Sequence, residues 1–202
     1  MRYISKAFFL LSAYCLLLTA FCFTVAGQGV KQLSYDKLSF VAIAGPENKM
    51  NIFYRKDGRL KIFEQSEFDE IQEELLKKKD FYITRAIVPI GPDGKLTQKF
   101  SEINSSGAVS DGFEYEAALR FKIGLLKPAM FDLEHNYKAA TKSGMKSQSA
   151  KAQVSLVEGA MTPIAYLPEV MMSVREKRDP GAKGKGDPIL AAVVVYVGPA
   201  GK

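Results

Sequence analysis

The sequence predicts a mainly β fold with a minor α part: an antiparallel β-sandwich or curled sheet of about eight strands, carrying one amphipathic helix at about 66–79. Three observations carry this expectation. Residues 113–125 and 131–139 alternate apolar and polar side chains with period two. Residues 189–197 (ILAAVVVYV) form a short, bounded apolar run, the pattern of a strand buried on both faces. One segment alone, 66–79, has helical spacing, with Phe68, Ile71 and Leu75 on a single stripe.

Taken in chain order, Met50 to Arg55 (MNIFYR) and Arg59 to Phe63 (RLKIF) flank Asp57-Gly58, which predicts a hairpin with Gly58 at positive φ. For the helix, Ser66 is the expected N-cap and Asp69 completes a capping-box-like pattern. Glu67, Asp69 and Glu70 fall in its first turn and Lys77, Lys78 and Lys79 in its last, the order the helix dipole favours. Residues 81–90 read as a strand ending at Pro89, hence at an edge or bulge. Residues 101–112 (SEINSSGAVSDG) read as a loop and an internal boundary.

Phe113, Tyr115, Ala117, Leu119, Phe121, Ile123 and Leu125 share one face of the next strand, which is long enough to require twist or a bulge. Phe131, Leu133, His135, Tyr137 and Ala139 share a face of its hairpin partner. Ser143 to Ser149 reads as a polar loop, after which Ala150, Ala152, Val154 and Leu156 alternate again. Pro163 and Pro168 bracket an irregular stretch before Val170, Met172 and Val174 resume the period. Arg175 to Pro188 is rich in Gly, Lys and Pro, the composition of a mobile loop. Segments 41–49, 87–95 and 194–202 each run from apolar residues through Gly-Pro to Lys at unequal intervals, which shared turn chemistry explains. The expected core includes Phe68, Ile71, Leu75, Leu119, Phe121, Ile123, Val154, Leu156, Val193 and Val195.

The N-terminus carries a different signal. Arg2 and Lys6 precede an uncharged run from Ala7 to Ala26, and Thr24 and Ala26 suit the −3 and −1 positions of a signal-peptidase site. Residues 1–26 therefore read as a signal peptide. A signal-anchor spanning 7–26 is the alternative, since that length also suffices for a membrane span. Neither Cys15, preceded by Tyr14, nor Cys22, preceded by Phe21, has a lipobox context. The rest, 27–202, is expected to be a single β-rich domain, or a small α+β part at 30–100 beside a main sheet at 111–198.

Both cysteines lie in the export segment, so the body has no disulfide, thiol nucleophile or thiolate ligand. An exported domain without disulfides points to a bacterial envelope, periplasmic or extracellular. Without Arg2 and Lys6 the body keeps 26 basic against 22 acidic side chains. That mild excess suits an anionic surface and is no footprint for nucleic acid.

The residue inventory argues against most catalytic machinery. His135 is the only histidine, which rules out a multi-histidine zinc site. No serine sits in a G-x-S-x-G context, and His135 shares the apolar face of its strand, where a packed histidine is the simpler expectation. Glu114 and Glu116, or Asp132 and Glu134, have the i, i+2 spacing that an acid/base carboxylate pair could use. Any amphipathic strand with a charge-paired outer face has it too. No calcium-loop or phosphate-loop pattern is present, and no cofactor is implied. Lys183 and Lys185, in the Gly/Lys/Pro loop, are candidates for contact with an anionic polymer or envelope protein. The functional expectation is a non-catalytic envelope protein binding such a partner through a β surface or loops, with a membrane link only through an uncleaved N-terminal segment. The alternative is a secreted carboxylate-dependent hydrolase of glycan or peptide.

Overall fold

The computed structural model describes residues 36–105, 108–122, 129–176 and 187–200. In order they form β1 (Lys37–Gly45), a 3₁₀ helix (Glu47–Phe53), β2 (Phe63–Glu64), α1 (Gln65–Leu76), β3 (Tyr82–Pro89), β4 (Lys95–Ser105), β5 (Ala108–Lys122), β6 (Ala129–Thr141), β7 (Gly144–Leu156), β8 (Ala160–Glu176) and β9 (Asp187–Pro199). All pairings are antiparallel, and the strands make one sheet in the order β3-β1-β9-β8-β5-β6-β7. β2 pairs with β8, and β4 pairs with β5. The fold is mainly β, as expected, and of the two expected forms, sandwich or curled sheet, it takes the curled sheet, which does not close. Strands from 37–105 and from 108–199 belong to this same sheet.

β9 is central, and residues 191–198 are buried throughout. Its alternate side chains enter two different cores. Ala191, Val193, Val195 and Val197 join Phe40, Tyr115, Leu119, Phe131 and Met172 inside the curl. Ala192, Val194 and Tyr196 face outward and are covered by Met50 and Phe53 of the 3₁₀ helix, Phe63, and Phe68 and Leu75 of α1. The continuous apolar run thus reflects two layers stacked on one strand. In the outer core, the Tyr196 ring lies 4.7 Å from that of Phe68 and 5.9 Å from that of Phe53, and its hydroxyl donates to Lys61 O at 3.1 Å.

Several local expectations are corrected. Met50 to Phe53 is helical, not the first arm of a hairpin. Met50 and Phe53 stand three residues apart, so the three-residue period of a 3₁₀ turn buries both. The Asp57-Gly58 turn is present, with Gly58 at φ +78, but only one bridge, Tyr54↔Leu60, follows it. α1 begins at Gln65 and its N-cap is Glu64, with no side-chain cap bond, so Ser66 does not cap it. Asp69 instead accepts from Gln65, Gln72 and Arg85, the last at 2.5 Å. α1 ends at Leu76 with Lys77 as its C-cap, so none of Lys77, Lys78 and Lys79 lies in its last turn, and of the expected acids only Glu67 lies in its first.

The expected loop at 101–112 is the tip of a β4–β5 hairpin, with Ser105 opposite Ala108. A register shift between Phe100 and Glu102 breaks the alternation, so Leu96 and Phe100 are followed on the buried face by Ile103. Residues 144–149, expected in a loop, belong to β7, and only Lys142 and Ser143 turn. The Pro163–Pro168 stretch lies within β8, where the register shifts at Pro163/Ala165 and at Leu167/Val170. Proline lacks the N–H an uninterrupted ladder needs, and Glu169 takes φ +54 inside the second shift. Of the expected core, Phe68, Leu75, Leu119, Leu156, Val193 and Val195 are buried. Ile71, Phe121 and Val154 sit at the core margins, half-buried. Ile123, residues 1–26 and most of the 175–188 loop lie outside the described residues.

Gly112 is where the sheet divides. Up to Asp111, β5 has β8 beside it; from Phe113 it has β6. Gly112 takes φ +117, and a Cβ there would stand 2.3 Å from the Met171 carbonyl oxygen. Beyond this point β5, with β4 on one side and β6 and β7 on the other, forms a wing of the sheet.

Candidate functional site: the outer face of the wing

Alternation on β5 and β6 turns Tyr115, Leu119, Phe131 and Leu133 into the core and leaves the intervening side chains facing out. The cross-strand rows on the outer face follow from the register. Lys99 lies opposite Glu116, Glu114 opposite Lys138, Arg120 opposite Asp132, and Glu134 opposite Lys151. The Lys99 ammonium stands 3.9 Å from the Glu114 carboxylate, and Lys151 stands 3.3 Å from Glu134. Lys95 faces Arg120 across the strands but is drawn to Asp93, at 3.3 Å. The backbone N–H of Lys95, and after it the Lys95 side chain, hold the Asp93 carboxyl below the ordinary aspartate range.

This arrangement places all four candidate carboxylates. Glu114, Glu116, Asp132 and Glu134 share the outer face, yet each occupies its own cross-strand row and no row holds two. Adjacent rows on one face are separated by two residues, roughly 7 Å along the strand. Lysines pair with Glu114 and Glu134, and Asp132 also has a partner of its own.

The most defined concavity is a shallow trough of about 670 Å³ crossing β4 to β7. Two rows line it: Thr97, Ala118, Glu134 and Lys151, then Lys95, Arg120, Asp132 and Gln153. Thr97 and Gln153 were not singled out from sequence. The bulge after Phe100 hides the β4 alternation, and Gln153 sits on the polar face of an alternating strand, where nothing in the spacing marks it from other solvated residues. Among the described residues, no group of three or more His, Cys, Asp or Glu side chains is placed to hold a metal ion. Nor is any helix among them long and apolar enough to cross a membrane.

His135 is on the opposite face from these carboxylates. Its ring makes an edge-to-face contact with Tyr115 at 6.0 Å, and its Nδ1 is buried without a hydrogen-bond partner. Burial lowers its pKa, favouring the neutral imidazole. The Tyr115 hydroxyl beside it is also buried and unpartnered, and burial pushes its pKa up. Period two therefore keeps the histidine and the outer acids on different sides of the sheet, where they cannot share a proton-transfer step. Lys183 and Lys185 lie outside the described residues.

The fold and face so defined are those of an open, curled antiparallel sheet with a charge-paired wing. Compared with protein families, curated proteins and solved structures, the chain gives no significant match.

Proposed function

We propose that this chain is an exported bacterial cell-envelope protein that binds a protein or polymer partner on the outer face of the β4–β7 wing, without catalysing a reaction. The observation that carries the reading is the distribution of carboxylates. A glycosidase-type or peptidase-type centre needs two acids converging in a concave site, one of them desolvated. Here each acid has its own row on an open face, and Glu114 and Glu134 face lysines at 3.9 and 3.3 Å. A face of alternating charge suits recognition by complementary charge, which favours encounter and register over tight burial. Export rests on the charged start and apolar run of residues 1–26, with the 7–26 anchor as its variant.

The test is capture from a bacterial envelope extract on the immobilised chain beginning at Gln28. Two charge-reversed variants serve as comparisons: Arg120→Glu with Lys99→Glu on the wing, and Lys183→Glu with Lys185→Glu in the loop. The reading expects a defined partner that the wing variant loses. Hydrolysis of glycan or peptide by the unmodified chain, with no partner captured, would replace it with the hydrolase reading. Loss of the partner in the loop variant alone would move the contact to Lys183 and Lys185.

A further inference from the structure

The end of the β6–β7 hairpin is a basic patch. Between His135 and Val157 there is no aspartate or glutamate, and there are four lysines, Lys138, Lys142, Lys146 and Lys151. Lys151 is held by Glu134. The other three are exposed, and none of them has an ion pair among the described residues. Glu114 faces Lys138 across the strands, but its carboxylate stands by Lys99. A lysine on an edge strand ordinarily guards against strand addition, which accounts for Lys146. It does not account for Lys142, which lies in the turn, or for Lys138 on β6, which has a strand on either side. The turn is firmly built: the Thr141 hydroxyl donates to Gly144 O at 2.8 Å and lies 3.1 Å from the Ser143 hydroxyl. Met145 beside it is 62% exposed, the most exposed large apolar side chain among the described residues.

The complementary patch is on the same chain. From Ile62 to Leu76 there is no lysine or arginine, and there are five glutamates and one aspartate. Asp69 is held by Arg85. Glu67, Glu70 and Glu74 are exposed and stand at i, i+3 and i+7 of α1, so they form one stripe away from buried Phe68, Gln72 and Leu75. None of the three has an ion pair among the described residues. Of the lysines that follow the helix, Lys78 lies over the Phe81 ring. The stripe is roughly 10 Å long at the helical rise. Lys138 and Lys142 span roughly 13 Å of extended chain, a matching length. Leu76, 45% exposed at the end of α1, is an apolar counterpart for Met145.

We propose that the β6–β7 tip of one copy of this chain docks on the α1 glutamate stripe of a second copy. α1 covers the outer core over β9, whereas the hairpin ends the wing beyond β5, so neither patch neutralises the other within one copy. The contact is head-to-tail. It leaves one tip and one stripe free, so further copies add in a row or close into a ring. It goes beyond the wing reading, because none of these residues lines the trough. Each exposed pair is weak and screened by salt, so the association belongs to low ionic strength and high protein concentration. The mild basic excess of the body, spread evenly, would instead make copies repel most at low salt.

The test is sedimentation equilibrium of the chain beginning at Gln28. In about 10 mM salt its mean mass should rise with concentration, and in about 1 M salt it should return to the monomer. Lys138→Glu with Lys142→Glu and Lys146→Glu should stay monomeric, and so should Glu67→Lys with Glu70→Lys and Glu74→Lys, each with unchanged circular dichroism. Mixing the two variants should restore association, because each supplies the patch the other lacks. Should the reversed helix unfold, Glu67→Gln with Glu70→Gln and Glu74→Gln keeps good helix formers and should weaken association roughly tenfold, the scale of three exposed pairs. A monomer at every concentration in low salt, or undiminished association of the hairpin variant, overturns the proposal. So does a mixture of folded variants that stays monomeric. A monomeric chain that instead sediments with phosphatidylglycerol vesicles through the same lysines would make a lipid surface the occupant. Arg120→Glu with Lys99→Glu leaves both patches intact and should associate like the unmodified chain, which separates this contact from the wing reading.

Discussion

At the scale of single residues, the neighbouring His135 and Tyr115 make the sharpest predictions. The Tyr115 hydroxyl is buried with no partner, and such a group costs roughly 1–3 kcal/mol. Tyr115→Phe should therefore stabilise the chain by about 1 kcal/mol in urea unfolding; a loss of stability would mean that the hydroxyl is bonded. His135 has its pKa lowered by burial, so the unfolded chain binds its proton more readily than the folded one. Its contribution is complete above the unfolded value, near 6.5, and is lost as pH falls through that value toward the folded pKa. His135→Phe should flatten the fall in stability between pH 7 and pH 5; a profile identical to that of the unmodified chain would refute the assignment. Phe121 shows how burial revises a sequence expectation. As a full core residue its truncation to alanine would cost roughly 3–5 kcal/mol. It is half-buried, its ring centroid 3.9 Å from that of Phe131 and tilted against it, so the cost should be nearer ~2 kcal/mol and below that of Leu119→Ala.

At the scale of elements, Gly112 is the junction on which the wing depends. Any side chain there meets the Met171 carbonyl while also forcing an L-residue to φ +117. Gly112→Ala should cost more than about 2 kcal/mol, and a near-neutral effect in denaturant titration would mean that β5 does not pass so close to β8. The elements legible from sequence were those where one physical pattern ran unbroken. β5 and β6 alternate cleanly because each has one buried face, and β9 is apolar throughout because it has two. β4 was hidden because its bulge changes phase between Phe100 and Ile103. The first half of β7 was hidden because an exposed edge strand needs no apolar residues, so Ser147 and Ser149 read as loop. The 3₁₀ helix reads as a strand in sequence because Ile52, Phe53 and Tyr54 favour β structure locally, whereas burial of Met50 and Phe53 together selects the tighter turn. The candidate carboxylates were legible as residues, but their separation into different rows was not. That depends on which residues of β5 and β6 face each other.

At the scale of the whole molecule, protection should be graded from the sheet centre to the wing. Amides of β1 and β9 lie between the two cores, whereas β7 is exposed along most of its length. Hydrogen exchange should be slowest at Val193 to Val197 and fastest at Ser147 and Ser149. Uniform protection across the sheet would mean that the wing is covered.

The central place of β9 has a consequence for the order of assembly. β1 is bonded on one side to β3, close by in the chain, but on the other to β9, roughly 150 positions later. Until residues 187–199 have been made, β1 and β8 each lack a neighbour, and the apolar side chains they will share have nothing to close over them. Folding is therefore governed by a contact between distant parts of the chain, a slow step that leaves sticky strand edges exposed while it waits. Shortening the chain before Ile189 would remove the middle of the sheet, not trim its border.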